Sequence, residues 1–157
     1  WFYEDVAYVY EKGMMNGTGR AAFGPDASTT RGMIVTILAR MDGKTVSGSG
    51  SEWYAASQSW ASENGVSDGS DPNGRITREQ FAAMLYRYAL RQGRAGADAA
   101  ANFAGFADVE SVSDWARDAM RWAVSSGVIN GIDGRLCPQG EATRAQIATM
   151  LQRYLEK

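Results

Sequence analysis

Histidine is absent from the 157-residue chain, and cysteine occurs only once, as Cys137. The first absence excludes Ser-His-Asp and Cys-His catalysis, a histidine general base and histidine-ligated metal. A single cysteine excludes an internal disulfide framework and any zinc site built from clustered cysteines. We therefore expect no catalytic residues, no metal and no cofactor.

The chain also lacks an excess of either charge and a long apolar run. Sixteen lysines and arginines stand against eighteen acidic residues, which gives a net charge of −2. This balance is unfavourable for a partner held through phosphates, so nucleic acid is not expected. No stretch approaches the roughly 18 consecutive apolar residues of a membrane span. With 45% hydrophobic and 22% charged residues, the composition is that of a soluble globular domain.

The few prolines mark an internal repeat. Each of the three prolines lies six residues before an arginine that follows a threonine. A tryptophan and two glycines come before each proline. The first glycine lies twelve residues after the tryptophan, and the second lies four residues after the first. These landmarks define copy 1 (Trp1, Gly13, Gly17, Pro25, Thr30, Arg31), copy 2 (Trp53, Gly65, Gly69, Pro72, Thr77, Arg78) and copy 3 (Trp115, Gly127, Gly131, Pro138, Thr143, Arg144). Chance does not distribute prolines in this way.

Each copy predicts a helix, a glycine turn, an irregular loop and a second helix. The first glycine of each copy is suited to end the first helix in the left-handed conformation. The threonine is suited to cap the second helix, and Gln80 and Gln146 complete a capping-box pattern in copies 2 and 3. Apolar residues follow each arginine at positions +3, +6, +7 and +10. Because one helix pair cannot bury such a stripe alone, the three second helices are expected to pack together.

The copies are expected to occupy residues 1–46, 47–102 and 103–157. Copy 1 begins directly at its tryptophan, so we expect it to be truncated at its N-terminus. Copy 2 has a shortened loop before its proline and is expected to be a degenerate unit followed by a linker rich in alanine and glycine.

The repeat resembles the S-layer homology domain, and three tandem copies are the usual set in that family. Copy 3 carries the fullest match: Phe106-Ala107-Asp108-Val109 fits the F-x-D-V opening, followed by Trp115, Gly127–Gly131, Pro138 and Ala142–Gln146. The resemblance implies an all-α, pseudo-threefold arrangement around a central three-helix bundle. It also implies a bacterial cell-wall or S-layer location and binding of an anionic, commonly pyruvylated, secondary cell-wall polysaccharide in grooves between copies. The family's T-R-A-E glutamate is replaced by Met33, Gln80 and Gln146.

The arginines of the three Thr-Arg pairs are the leading ligand-binding candidates. Arginine in the first helical turn is mildly disfavoured by the helix dipole, and its recurrence there suggests another requirement. A guanidinium matches a carboxylate in two parallel hydrogen bonds, and free N–H groups at the helix start also favour an anion. The alternative is an ion pair with a protein carboxylate such as Asp108. The candidate ligand-binding residues are Arg31, Arg78, Arg144, Asn16, Gly17, Asp68, Gly69, Asn130, Gly131, Trp53 and Trp115.

Several recurring residues also have purely structural explanations. The second arginines, Arg40, Arg87 and Arg153, lie near helix C-termini, where the dipole favours them. The tryptophans could stack on sugar, but recurring aromatics more often pack in a core. The acidic pairs Glu4 with Asp5 and Asp114 with Asp118 are expected to be solvated rather than catalytic.

The sequence therefore predicts a non-catalytic anchoring module that binds an anionic cell-wall polysaccharide and is attached to a larger surface protein. The alternative is a protein–protein assembly module of an S-layer or other surface protein, in which the glycan grooves are vestigial.

Overall fold

The computed structural model describes residues 1–19, 22–46, 48, 50–95 and 103–157, and this part of the chain is helical and contains no β-strand. The described residues form α1 (Tyr3–Glu11), α2 (Arg31–Met41), α3 (Ala55–Glu63), α4 (Arg78–Arg91), α5 (Arg117–Ser125) and α6 (Arg144–Leu155). Short 3-10 helices lie at Gly50–Glu52, Phe103–Gly105, Val109–Ser111 and Asp114–Ala116. The predicted all-α fold class is confirmed.

The limits of the three copies stay a prediction. Each copy contributes two α-helices in the predicted order, but the boundaries at 46/47 and 102/103 adjoin residues 47, 49 and 96–102. Those residues lie outside the described part of the chain. The linker predicted at the end of copy 2 falls largely in the same segment.

The helix ends follow the sequence pattern. In all three copies the threonine hydroxyl accepts a hydrogen bond from the third helical N–H, at 3.2–3.3 Å. Gln80 and Gln146 complete the predicted capping boxes. Gly13, Gly65 and Gly127 follow the ends of the first helices with φ angles of 69°, 68° and 72°. The first helices begin two residues after each tryptophan.

Helix packing runs between copies and closes into a ring. Helix α1 packs against α6, α3 against α2, and α5 against α4. Each first helix therefore lies on the second helix of the preceding copy, with copy 3 preceding copy 1. Helix α2 also contacts α4. The main partner of each first helix comes from another copy, which explains why a single copy cannot bury its own apolar surface.

The apolar stripe of the second helices forms the core. Positions +3, +6 and +7 after the arginine are buried in every copy: Ile34, Ile37, Leu38, Phe81, Met84, Leu85, Ile147, Met150 and Leu151. Position +10 is buried as Tyr88 and Tyr154 in copies 2 and 3 and is half-buried as Met41 in copy 1. The predicted stripe is thus confirmed.

The residues just before the three capping threonines join the copies at one point. The Thr29 N–H donates to the Ala142 carbonyl, the Ala142 N–H to Ile76 and the Ile76 N–H to Thr29, at 3.2, 3.0 and 2.8 Å. All three residues are fully buried. Because a buried backbone group without a partner is costly, each copy is needed to satisfy the other two. This closed set of hydrogen bonds, called here the threefold ring, fixes where the three second helices begin.

Candidate functional site

The arginine of each Thr-Arg pair is the first residue of a second helix, and its side chain reaches into the loop of the following copy. In every copy Nε donates to the backbone carbonyl two residues before the proline of that loop: Arg31 to Ser70 at 2.9 Å, Arg78 to Leu136 at 2.9 Å and Arg144 to Phe23 at 2.8 Å. The Nε–H edge of each guanidinium is therefore already hydrogen-bonded to a neighbouring loop.

A crevice opens beside each of these arginines, and the three crevices are built alike. Each crevice is numbered after the copy that supplies its glycine loop and its second helix. The Thr-Arg arginine comes from the preceding copy and the tryptophan from the following one. Crevice 1 is lined by Asn16, Gly17, Arg40, Trp53 and Arg144; crevice 2 by Arg31, Asp68, Gln80, Arg87 and Trp115; and crevice 3 by Trp1, Arg78, Asn130, Gly131 and Arg153. Their volumes are about 410, 530 and 490 Å³.

The second arginines were assigned a structural role from the sequence, and they also line the crevices. Arg40, Arg87 and Arg153 donate through Nη1 to the carbonyls of residues 14, 66 and 128, at 3.2, 3.3 and 3.5 Å. Each crevice consequently carries two guanidinium groups from different helices. The signal that could have identified these residues is their recurrence nine positions after the first arginine in every copy.

The tryptophans border the crevices. Trp1 is 82% exposed and Trp115 58% exposed, whereas Trp53 is half-buried. Core packing, the alternative weighed for these residues, is wrong for Trp1 and Trp115. Trp1 was not among the predicted site residues, although it holds the position in crevice 3 that Trp53 holds in crevice 1. An exposed indole beside a polar crevice can stack on the apolar face of a sugar.

The structure brings most of the predicted loop residues to the crevices. Asn16 and Gly17 line crevice 1, Asn130 and Gly131 line crevice 3, and Asp68 lines crevice 2. Gly69 does not line crevice 2.

The second glycines of copies 2 and 3 both adopt positive φ angles, 77° at Gly69 and 81° at Gly131. The Gly69 carbonyl also accepts a hydrogen bond from the Gln58 side chain. A Cβ at Gly131, where φ is 81°, would lie 2.6 Å from the Phe106 ring. Close approach of the F-x-D-V segment therefore requires glycine at position 131.

Two of the three Thr-Arg arginines are buried and form no salt bridge with a carboxylate of the described residues. Arg78 and Arg144 are 5% and 6% exposed. No carboxylate in the described ranges lies within 4.0 Å of either side chain. Burial lowers the pKa of both from the usual arginine value, because desolvation disfavours the charged form.

Arg144 is further held by its surroundings while keeping unused donors. Its guanidinium lies over the Phe23 ring, 4.6 Å from the centroid, and also donates to the Asn16 carbonyl. Since arginine carries five N–H donors, each of these buried side chains retains capacity for an anion.

Among the described residues, one of the three Thr-Arg arginines forms the salt bridge with a protein carboxylate that the alternative proposed. Arg31 Nη2 lies 3.3 Å from Asp68 Oδ1. Asp108, the partner named from the sequence, instead accepts hydrogen bonds from the backbone N–H groups of Leu136 and Cys137, at 2.7 and 2.8 Å. Asp108 therefore fixes the loop whose Leu136 carbonyl accepts the hydrogen bond from Arg78.

The expectation of free N–H groups at the start of the second helices is wrong. The first two N–H groups of each helix donate to carbonyls of the next loop, including those of all three prolines. In copy 3, for example, the N–H groups of Arg144 and Ala145 donate to Ala27 and Pro25, both at 2.9 Å. The capping threonine accepts from the third N–H. An anion in a crevice would therefore meet side chains rather than the helix terminus.

Replacing Asp108 with asparagine should weaken the fold above pH 4. Burial alone would raise the pKa of Asp108, but the Leu136 and Cys137 N–H groups outweigh it and hold the pKa below its ordinary value of 3.8. The ionised form therefore stabilises the folded state above the unfolded pKa, and this contribution is lost as pH falls through the folded value. We expect Asp108→Asn to lower the free energy of unfolding by about 1–2 kcal/mol at pH 7. Urea unfolding at pH 7 and pH 3 tests this, and a difference that persists unchanged at pH 3 would contradict it.

The described residues contain neither a helix suited to span a membrane nor a metal-binding cluster. None of the helices in these ranges has the length and apolar character to cross a membrane. No group of three or more acidic or cysteine side chains in the same residues is arranged to hold a metal ion.

Comparison with known proteins gives one family and several relatives. The S-layer homology domain matches residues 1–32 and 105–148. An amylopullulanase of Thermoanaerobacterium thermosulfurigenes is 28% identical over all of this chain and 9% of its own length. The exoglucanase XynX of Acetivibrio thermocellus is 25% identical over all of this chain and 16% of its length. The S-layer protein sap of Bacillus anthracis is 26% identical over 96% of this chain and 20% of its length.

The chain thus spans a fifth or less of each of these relatives. The matched segments contain the landmarks of copies 1 and 3, including Trp1, Gly17, Asp108, Trp115 and Gly131. Together with the helical fold, they identify these two segments of the chain as S-layer homology domain sequence.

Proposed function

We propose that this chain is a non-catalytic anchoring module that holds a larger surface protein on an anionic secondary cell-wall polysaccharide. The family match and the S-layer relatives indicate a location at the cell wall or S-layer. The acid group of the polymer, commonly a pyruvate ketal in this family, would enter the crevices between copies. The three copies are proposed to be residues 1–46, 47–102 and 103–157.

The observation that carries this proposal is the burial of Arg78 and Arg144 with no carboxylate of the described residues within salt-bridge distance. An uncompensated buried charge costs several kcal/mol, because the ion loses its hydration. A carboxylate from outside, bound through two parallel hydrogen bonds, would remove that cost. It would also return the lowered pKa of each arginine toward its usual value.

The remaining crevice residues suit a sugar that carries such a carboxylate. A second arginine, Arg40 in crevice 1 and Arg153 in crevice 3, adds a further positive charge. Asn16 and Asn130 offer amide donors and acceptors for hydroxyl or acetamido groups. The tryptophan at the rim offers a flat apolar surface. Volumes of about 410 and 490 Å³ are those of ordinary small-ligand pockets.

The named activities of the relatives support attachment rather than catalysis. An amylopullulanase, an exoglucanase and S-layer proteins share a stretch similar to this chain that makes up 20% or less of each. A segment common to proteins with such different names is best explained by a shared location. The activities in those names belong to those proteins, and we assign none to this chain.

Sedimentation with purified cell-wall sacculi tests the proposal. The chain should pellet with intact sacculi and stay in the supernatant after the secondary polymer has been chemically stripped. Added free pyruvylated glycan should compete for binding. Pelleting that ignores the stripping would contradict the proposal and favour the protein–protein assembly alternative.

A further inference from the structure

Crevice 2 differs from the other two at the position that faces its Thr-Arg arginine. Crevices 1 and 3 carry Asn16 and Asn130 there, whereas crevice 2 carries Asp68. The Asp68 carboxylate lies 3.3 Å from the Arg31 guanidinium. Crevice 2 is thus the one in which a Thr-Arg arginine has an acidic partner among the described residues.

The Asp68 carboxylate is fixed by its own loop as well as by Arg31. Its side chain is 73% exposed, so the ion pair alone would hold it weakly. However, Oδ1 also accepts hydrogen bonds from the Ser70 N–H at 2.9 Å and the Ser70 hydroxyl at 2.7 Å. These bonds, followed by the charge of Arg31, lower the pKa of Asp68 and keep it ionised.

The loop of copy 2 supplies this support from two serines, and neither of the other copies has a hydroxyl at both positions. Ser70 corresponds to Thr18 in copy 1 and to Ile132 in copy 3. Ser67 Oγ accepts the Gly69 N–H at 3.2 Å and lies 3.5 Å from Arg31 Nη2, whereas the matching positions hold Met15 and Ile129. The acid and the residues that orient it therefore occur together in copy 2.

We infer that Asp68 acts as an internal carboxylate that occupies the anion position of crevice 2, so that crevices 1 and 3 bind the acid group of the glycan and crevice 2 does not. The inference rests on the proposed function. A ligand carboxylate entering crevice 2 would compete for donors already used and would meet a like charge a few ångströms away. The residue at this loop position thus selects which crevices take an anion.

Each crevice has its own tryptophan, so occupancy can be measured one crevice at a time. Indole N–H signals in ¹H–¹⁵N spectra report crevice 1 through Trp53, crevice 2 through Trp115 and crevice 3 through Trp1. The buried Trp60 and Trp122 serve as internal controls. The probe is a pyruvylated amino-sugar glycoside, and the same glycoside without the ketal is the negative control.

Titration of the wild-type chain should shift the Trp1 and Trp53 signals and leave Trp115 unchanged. In Asp68→Asn, an isosteric change, Trp115 should begin to shift with an affinity within about tenfold of the other two crevices. The reciprocal Asn16→Asp should weaken the Trp53 response by about tenfold or more and leave Trp1 unaffected.

The outcomes separate the inference from the proposed function. If Trp115 shifts in the wild-type chain as strongly as Trp1 and Trp53, the inference fails while the proposed function stands. A silent Trp115 in Asp68→Asn, with the other two responding, also overturns the inference. If no crevice tryptophan responds to the pyruvylated probe, the proposed function itself fails.

Discussion

Replacing Arg144 with methionine is expected to weaken anion binding in crevice 1 strongly. Arg144 is buried, faces a crevice with no carboxylate among its lining residues and has one other cation, Arg40, nearby. Loss of a hydrogen-bonded charge partner in such a setting costs about 2 kcal/mol or more, which is a roughly 30-fold increase in Kd. Titration with a pyruvylated glycoside, followed through the Trp53 signal, measures the change.

The same substitution should alter stability much less than binding. Methionine keeps an unbranched apolar stem that can pack on Phe23, but it leaves the Phe23 and Asn16 carbonyls without their donor. That loss is offset in part, because the variant no longer buries an uncompensated charge. We expect the free energy of unfolding to change by no more than about 1–2 kcal/mol.

Arg75→Met provides the matched control for the loss of one positive charge. Arg75 is 65% exposed, pairs with Glu141 at 3.2 Å and lines none of the three crevices. It should bind the glycoside like the wild-type chain. Equal weakening by Arg75→Met and Arg144→Met would mean that overall charge, rather than crevice 1, holds the ligand.

Replacing Ile76 with alanine is expected to destabilise the three copies together. Ile76 is fully buried in the threefold ring, where its N–H and carbonyl link copies 1 and 3. Removing three carbons from such a site costs about 2–5 kcal/mol through lost burial and the cavity left behind. Urea unfolding monitored by circular dichroism should give a single transition at lower denaturant concentration.

Thr29→Val changes another residue of the threefold ring and is expected to raise the stability of the fold. The Thr29 hydroxyl is buried and has no hydrogen-bond partner among the described residues. Because valine has a similar shape and no group to desolvate, the variant should be more stable by about 1 kcal/mol.

If Ile76→Ala unfolded one copy and left the others folded, as two separate transitions, the threefold ring would not unite the copies as described.

The sequence was sufficient to predict the local structure. Threonine caps, the glycines after the first helices and the +3, +6, +7 stripe depend on residues close together in the chain, and each was predicted. The placement of the Thr-Arg arginines at helix starts followed from the same signals. These features recur three times, which separates them from chance.

The construction of the crevices could not be predicted in the same way, because it depends on contacts between copies. Each crevice combines residues more than 30 positions apart, such as Arg144 with Asn16. Contacts between neighbouring copies decide that the helix-start N–H groups are used by neighbouring loops. They also decide that Asp68, rather than Asp108, forms a salt bridge with one of these arginines.

The most direct test of the anchoring account is a crystal structure of this chain soaked with a pyruvylated amino-sugar glycoside. The account predicts a ligand carboxylate within hydrogen-bond distance of the guanidinium groups of Arg78 and Arg144, with the sugar ring beside Trp1 or Trp53. A glycoside bound elsewhere, with both guanidinium groups still facing solvent-filled crevices at saturating ligand, would contradict it.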